Sequence, residues 1–377
     1  MGSTANDTAA GGGQRSLVRI LLFNVLTVII AVILLEAVSF FAVGFIETRQ
    51  SAAIIHDQRA AIYPEEMSDR TFSKSRLYLT HVPFASRDYN IDDHGFRSIE
   101  GVRDIFANYD PKKVNVFAFG ASGTFGKYVK DRETWPQVLQ HRLRQTIPNA
   151  DVYNLGIGGF SNFDEVHLLV DVLAQGRVPS VAVFLDGGRF ETCPEREDRS
   201  SALRQFETGR ITRLIQMSNV VRLAHHVSDK WAVMFKSPPT TTAAAPVDFA
   251  LCGAQYAARA ALATRLLDAY GAKAFFVLQP NGFTIPNYAT YRFWAYTNQT
   301  AESFAFYHQL YDAYASRSSA VATIVDMRSI LDEAAATRDD VLADASHPAA
   351  AGQAIIAEHV QDLIMPSLTN QRGASRQ

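Results

Sequence analysis

VNVFAFGASGTFG, residues 114–126, reads as a strand running directly into a glycine-rich turn. Val114, Val116, Phe117 and Phe119 stand among small residues, the pattern of a strand buried on both faces. Ser122 follows just past the strand end, at the start of a helix, where several hydrolase folds present a nucleophilic hydroxyl. Gly120 and Gly123 flank it and let the backbone turn sharply, and a helix N-terminus favours developing negative charge nearby. An ordinary strand–turn–helix with a capping serine fits the same letters. The rest of the chain has to choose between the two.

Outward from this stretch the chain alternates strand and helix, the sign of a parallel sheet with helices on its faces. TWPQVLQHRLRQ (134–145) predicts an amphipathic helix, DVYNLGIGGFSN (151–162) a short strand ending in glycines, and FDEVHLLVDVLAQG (163–176) a second helix. VAVFLDGG (181–188) predicts a third strand. Residues 191–250 then interrupt the pattern with charged loops, a helix around TRLIQMSNVVRLAHHV and the low-complexity PPTTTAAAP. The alternation resumes with a helix over 254–272, a strand over 273–282, a helix around 300–317 and a strand over 322–327. A loop at 344–349 enters an Ala-rich helix ending near 364. The expectation is a three-layer α/β/α sandwich with a parallel five-stranded sheet over 113–365, carrying an insertion at about 191–250. A flexible tail is expected over 366–377.

The amino-terminal end is different. Ile20–Ile46 is 27 residues with one charge, Glu36, long enough to cross the roughly 30 Å hydrocarbon core as a helix. Arg15 and Arg19 precede it, while Glu47, Arg49, Asp57 and Arg59 follow. That asymmetry predicts a disordered cytoplasmic tail over 1–16, a single-pass anchor over 17–46 and an exported remainder. A cleavable signal peptide with a site near Ala37-Val38-Ser39 is the competing reading. Residues 47–112 read as a linker or accessory segment, in which YNIDDHGFRS (89–98) predicts a strand and a turn around Gly95. The net charge is −2 and there is no long basic run, which argues against a nucleic-acid partner. The two cysteines, Cys193 and Cys252, have an oxidising compartment in which to pair if the remainder is exported.

A serine at a strand end gains force from Asp344 and His347, three apart in D-A-S-H-P on a late loop before a helix. Strand ends of an α/β sheet converge on one edge, so a loop arriving there can face the first strand's turn. A serine hydroxyl needs an imidazole to take its proton, and the imidazole needs an acceptor on its other nitrogen. Asp344 can supply that acceptor. It can equally cap the following helix through backbone amides. Metal-ligand spacings such as H-E-x-x-H or C-x-x-C are absent, and no cofactor is expected.

FGASGTFG (119–126), NLGIGGFS (154–161), FLDGG (184–188) and DASHPAAAG (344–352) together resemble the SGNH/GDSL hydrolase superfamily. The likeness is closest to its membrane-anchored bacterial members, in which the span is followed by an N-x-x-G-F-R-like segment, here Asn90–Arg97 with two extra residues. VLQPN (277–281) resembles a strand end of the same proteins. The resemblance implies Ser122 as nucleophile, His347 as general base and Asp344 as its orienting partner, with the amides of Ser122 and Gly159 in the oxyanion hole. It also exposes a departure. Where the pattern expects an oxyanion-hole asparagine, this chain has Arg189, a long cation and no isostere. Either Arg189 compensates, or Asn162 or Asn281 donates instead, or the enzyme is slow or repurposed. The implied function is a periplasm-facing serine esterase or acyltransferase in the bacterial inner membrane, acting on an acyl ester or acylated glycan. The alternative is an inactive hydrolase-fold subunit with partners in an envelope complex.

Overall fold

The computed structural model describes residues 10–53, 70–73, 78–98, 104–187, 220, 247–285, 301–338 and 340–374. The chain divides into two units, one of residues 1–55 with 198–245, the other of 56–197 with 246–377. In the first, helix α1 spans Ala10–Ala53 and takes in residues 10–16, where the sequence predicts a disordered tail. Helix propagation adds one hydrogen bond per residue once nucleated, so the strongly helical apolar run extends beyond its own ends. Within α1, Leu22–Ala42 is apolar enough to cross a membrane, and at about 1.5 Å per residue it is about 32 Å long.

The second unit is built on a five-stranded parallel sheet. β5 (Val114–Gly120), β6 (Ala150–Asn154), β7 (Val181–Asp186), β8 (Lys273–Leu278) and β9 (Ile324–Asp326) lie in the order β6-β5-β7-β8-β9. The strand order therefore reverses at the neighbouring strands β5 and β7, and the loops after those two strands open a crevice at the carboxyl edge. Ser122 stands at that edge.

Alternation along the strands sorts the core into two layers. Phe117 and Phe119 point to one face with Phe184 and Phe276, against helices α4 (Asn162–Ala174), α5 (Phe249–Ala269) and α6 (Ala301–Ala315). Register places Phe119 beside Phe184 and Phe184 beside Phe276, and both ring pairs stack at 4.7 Å. Val116, Ala118, Val183, Leu185 and Val277 point to the other face, against α3 (Trp135–Arg144) and α8 (Ala350–Ala374). The three-layer α/β/α sandwich expected from the sequence is the architecture observed.

One boundary differs. α8 runs through Pro366 to Ala374, where a flexible tail was expected from 366. Proline there removes one intrahelical hydrogen bond, but Ile364 and Leu368 on either side are fully buried against the sheet face. Packing holds the helix across the break. The helix expected around 212–227, apart from Val220, lies outside the described residues.

The accessory segment forms two small antiparallel pairs, β1 (Arg70–Ser73) with β2 (Tyr78–His81), and β3 (Phe84–Ala85) with β4 (Asn90–Ile91). The expected turn at Gly95 is present, at φ +85°.

Candidate active site

The Ser122 turn is over-determined by packing. β5 ends at Gly120 and Ser122 opens α2 (Ser122–Phe125). Thr124 Oγ1 donates back to the Phe119 carbonyl (3.2 Å), and Asn154 Nδ2 donates to the Thr124 carbonyl (2.9 Å). A Cβ on Gly156 would overlap the backbone of Thr124 and Phe125. The turn after β6 thus lies directly on α2, and glycine is required at 156 because two main chains touch there.

The structure brings Ser122, His347 and Asp344 together from segments 225 residues apart. Ser122 Oγ lies 2.8 Å from His347 Nε2. His347 Nδ1 lies 2.7 Å from each Asp344 carboxylate oxygen. Nδ1 faces a carboxylate and so carries the proton, which leaves the Nε2 lone pair to accept the Ser122 hydroxyl. Asp344 also accepts the amides of Ser346 (2.8 Å) and His347 (2.9 Å). The capping role and the orienting role are therefore the same arrangement: the carboxylate that shapes the loop is the one that faces the imidazole. Packing around Asp344 pushes its carboxyl up, but the His347 ring, its hydrogen bond, the Ser346 amide and the Lys127 charge outweigh this. The carboxyl is held below its ordinary value.

Gln353 locks the two halves of the site to each other. It is fully buried on α8; its Oε1 accepts the Trp135 amide (2.8 Å) and its Nε2 donates to the Gly123 carbonyl (3.0 Å). The loop that carries His347 is thereby tied to the turn that carries Ser122.

Gly159 sits at φ +80° in the turn after β6. The neighbouring Gly158 amide donates to Nε2 of the buried His81 (3.2 Å), whose ring stacks on Phe125 at 4.1 Å. One imidazole from the accessory segment thus touches both α2 and the turn expected to bear an oxyanion donor. Arg189 lies outside the described residues. The two asparagines considered in its place are committed elsewhere. Asn162 Nδ2 donates to Asp186 (3.3 Å) and its Oδ1 accepts Arg259 Nε (3.1 Å). Asn281 Nδ2 reaches the Gly187 carbonyl (3.1 Å) and the Tyr311 hydroxyl (2.6 Å). Both side chains are fully buried, Asn162 fastening the end of β7 and Asn281 the residue after it. Asp186, at the end of β7, accepts the Tyr256 hydroxyl at 2.6 Å. Burial pushes its carboxyl up, against the bonds from Glu165, Tyr256 and Asn162 and the Arg259 charge.

Sequence reasoning singled out Asn90–Arg97 but assigned it no chemistry. Arg97 is fully buried, and it donates through Nη1 to the carbonyls of Phe125 (3.2 Å) and Gly126 (3.1 Å) and through Nη2 to that of Val129 (2.8 Å). Its Nε meets Asp131 (2.5 Å), which also takes the Asn90 amide (3.1 Å) and side chain (2.6 Å). The guanidinium lies 3.3 Å from the Tyr89 ring centroid. Together these contacts clamp the loop that follows Ser122.

Cys252 is disulfide-bonded, and Cys193, the other cysteine of the sequence, lies outside the described residues. Among the described residues no group of three or more metal-ligating side chains gathers.

Fold and site define a class: a parallel α/β/α sandwich with a hydrogen-bonded serine, histidine and aspartate at the carboxyl edge of its sheet. Its parallel five-stranded sheet between helical layers agrees with the fold that the SGNH/GDSL resemblance implies. No protein-family model matches the chain, and no curated protein matches it. Solved structures similar to it include TesA, at 18% identity and TM-score 0.38, covering 67% of this chain and 99% of that one. A member of the lipolytic protein G-D-S-L family from Veillonella parvula DSM 2008 is 12% identical, with TM-score 0.37 and coverage of 67% and 98%. The acetyl xylan esterase AlAXEase is 13% identical, with TM-score 0.38 and coverage of 67% and 100%. The chemistry of the site stands on its own distances.

Proposed function

We propose that this protein is a membrane-anchored, periplasm-facing serine esterase or acyltransferase acting on small acyl esters, in particular O-acetyl groups of a cell-surface polysaccharide. The observation that carries the reading is the relay itself, Ser122 Oγ at 2.8 Å from His347 Nε2 with Asp344 at 2.7 Å behind it. Ser122 Oγ attacks the acyl carbonyl while His347 Nε2 takes the hydroxyl proton. The oxyanion is met by the amides of Ser122 and Gly159, the latter at a glycine that admits a close approach. Collapse of the tetrahedral intermediate breaks the ester C–O bond, and His347 returns the proton to the departing alcohol. The acyl-enzyme then passes to water or to a sugar hydroxyl, whose proton His347 takes and Ser122 recovers. Esterase and transferase share the first half-reaction and divide only at the acceptor.

Anchoring rests on the apolar helix over Leu22–Ala42, and the orientation on Arg15 and Arg19 before it. The polysaccharide assignment follows from that orientation and from the superfamily resemblance. A second reading, a weak or inactive hydrolase-fold subunit of an envelope complex, is favoured by the engagement of Asn162 and Asn281, which leaves the third oxyanion donor to Arg189. Labelling of the full chain in detergent micelles with a fluorophosphonate probe tests the two, with Ser122→Ala as control. Ser122-dependent labelling is expected. A folded protein that takes no label overturns the catalytic reading in favour of the subunit.

A further inference from the structure

Tyr128 is the one non-glycine residue among the described residues with a positive φ, +70°. A bulky side chain in that conformation is strained, and such strain persists only where surrounding contacts impose it. Here the contacts are visible. Arg97 binds the carbonyls of Phe125, Gly126 and Val129, on both sides of Tyr128, and the Lys127 amide donates to the Ser122 carbonyl (3.1 Å). The enforced backbone sends the Tyr128 ring to the catalytic imidazole. Ring and imidazole stand perpendicular, at 90°, with centroids 5.4 Å apart. The charges facing the ring are Lys127, whose Nζ lies 4.7 Å from its centroid, and Asp344. Burial and the Asp344 charge push the Tyr128 hydroxyl up to about 12, so it stays protonated wherever the site works.

We propose that Tyr128 is a positioning residue for His347, held in its strained conformation by the Arg97 clamp so that its ring keeps the imidazole aimed at Ser122. Asp344 fixes His347 through Nδ1, but the Nε2 contact to the Ser122 hydroxyl is given up as the serine attacks, and the ring is then held by one nitrogen and can swing about that bond. A perpendicular aromatic neighbour closes off that swing. The inference rests on reading Ser122, His347 and Asp344 as the reacting triad.

Glycine at 128 separates the two functions of the residue, because it removes the ring and also the cost of a positive φ. The full chain and its Tyr128→Gly and Tyr128→Phe variants are compared in detergent micelles by the rate of fluorophosphonate labelling across pH and by thermal unfolding. Tyr128→Gly is expected to keep or raise Tm yet label roughly 3–10-fold more slowly, the range a perpendicular ring pair is worth. The pH midpoint of its labelling rate is expected to move as well. Tyr128→Phe is expected to recover most of the rate and the wild-type midpoint. Tyr128→Gly labelling at the wild-type rate and midpoint overturns the positioning role, and so does a loss of rate that merely tracks a fall in Tm. A wild-type protein that takes no label overturns the triad reading beneath it, a distinguishable result.

Discussion

Replacing Arg97 by methionine probes the clamp that connects the accessory segment to the nucleophile loop. The side chain is 1% exposed and its ion-pair partner Asp131 is 12% exposed, so Arg97 is buried and the pair is largely shielded from water. Removing one member of a buried pair costs about 3–5 kcal/mol, because the remaining charge keeps its desolvation penalty. Asp131 retains Asn90 as a partner, which lowers the cost, while three carbonyls lose their donor, which raises it. An unpaired buried polar group costs about 1–3 kcal/mol where water cannot reach it. The two corrections oppose each other, and about 4 kcal/mol is the expected loss. At roughly 2–4 °C per kcal/mol, thermal unfolding of the full chain in micelles should fall by about 8–16 °C. Arg97→Lys restores the charge but not the fork that reaches three carbonyls, and should recover less than half of that. An Arg97→Met protein that unfolds within 2 °C or so of wild type refutes the clamp.

Asp344→Asn keeps an acceptor for the loop amides but presents an N–H to His347 Nδ1, which reverses the tautomer; Ser122 labelling should fall by about 10³–10⁴. Because the folded Asp344 carboxyl titrates below its ordinary value, its stabilising effect relative to Asn is present above about pH 4. It fades as pH falls through the lower folded value, so the two Tm curves should converge in acid. Asp186→Asn has the opposite sign. Its folded pKa is raised, so the folded state binds the proton more tightly and stability falls as pH rises from the unfolded value. The variant should be more stable than wild type at pH 8 and lose that advantage near pH 4; a variant less stable at pH 8 contradicts the assignment. Gly156→Ala drives a methyl into the backbone of Thr124 and Phe125 and should cost about 1–3 kcal/mol while slowing Ser122 labelling.

Much of the sheet was legible because its signals are local. Val116 and Ala118 alternate with Phe117 and Phe119, and that period of two is what sorts the two faces of β5. The Ser122 turn and the D-A-S-H-P loop were legible as a candidate site because each carries its polar groups within a few residues, and the fold brings the two together. The clamp was not. Arg97 lies in a segment whose spacing was noticed, but its meaning resides in three carbonyls and a carboxylate some thirty residues away, which sequence spacing does not encode. The same holds for His81 and Gln353, single polar residues whose partners at Gly158, Trp135 and Gly123 are brought to them only by the fold. The ending of α8 was misread for a related reason. Pro366 is a local breaker, and burial of Ile364 and Leu368, a tertiary effect, overrides it. Asn162 and Asn281 were ambiguous in the sequence because an asparagine near a strand end is equally a fastener: the first bonds the Asp186 carboxylate at the end of β7, the second the Gly187 carbonyl just after it.

The central claim is that Ser122 is acylated and that its acyl group then leaves. Intact-mass spectrometry and peptide mapping of the full chain in micelles, quenched at intervals after addition of p-nitrophenyl acetate, measure this directly. A single acetyl adduct on Ser122 that forms early and decays, faster when sugar acceptors are present if transfer is the second step, is the predicted result. Acetylation that maps elsewhere, or that persists unchanged in Ser122→Ala, contradicts it.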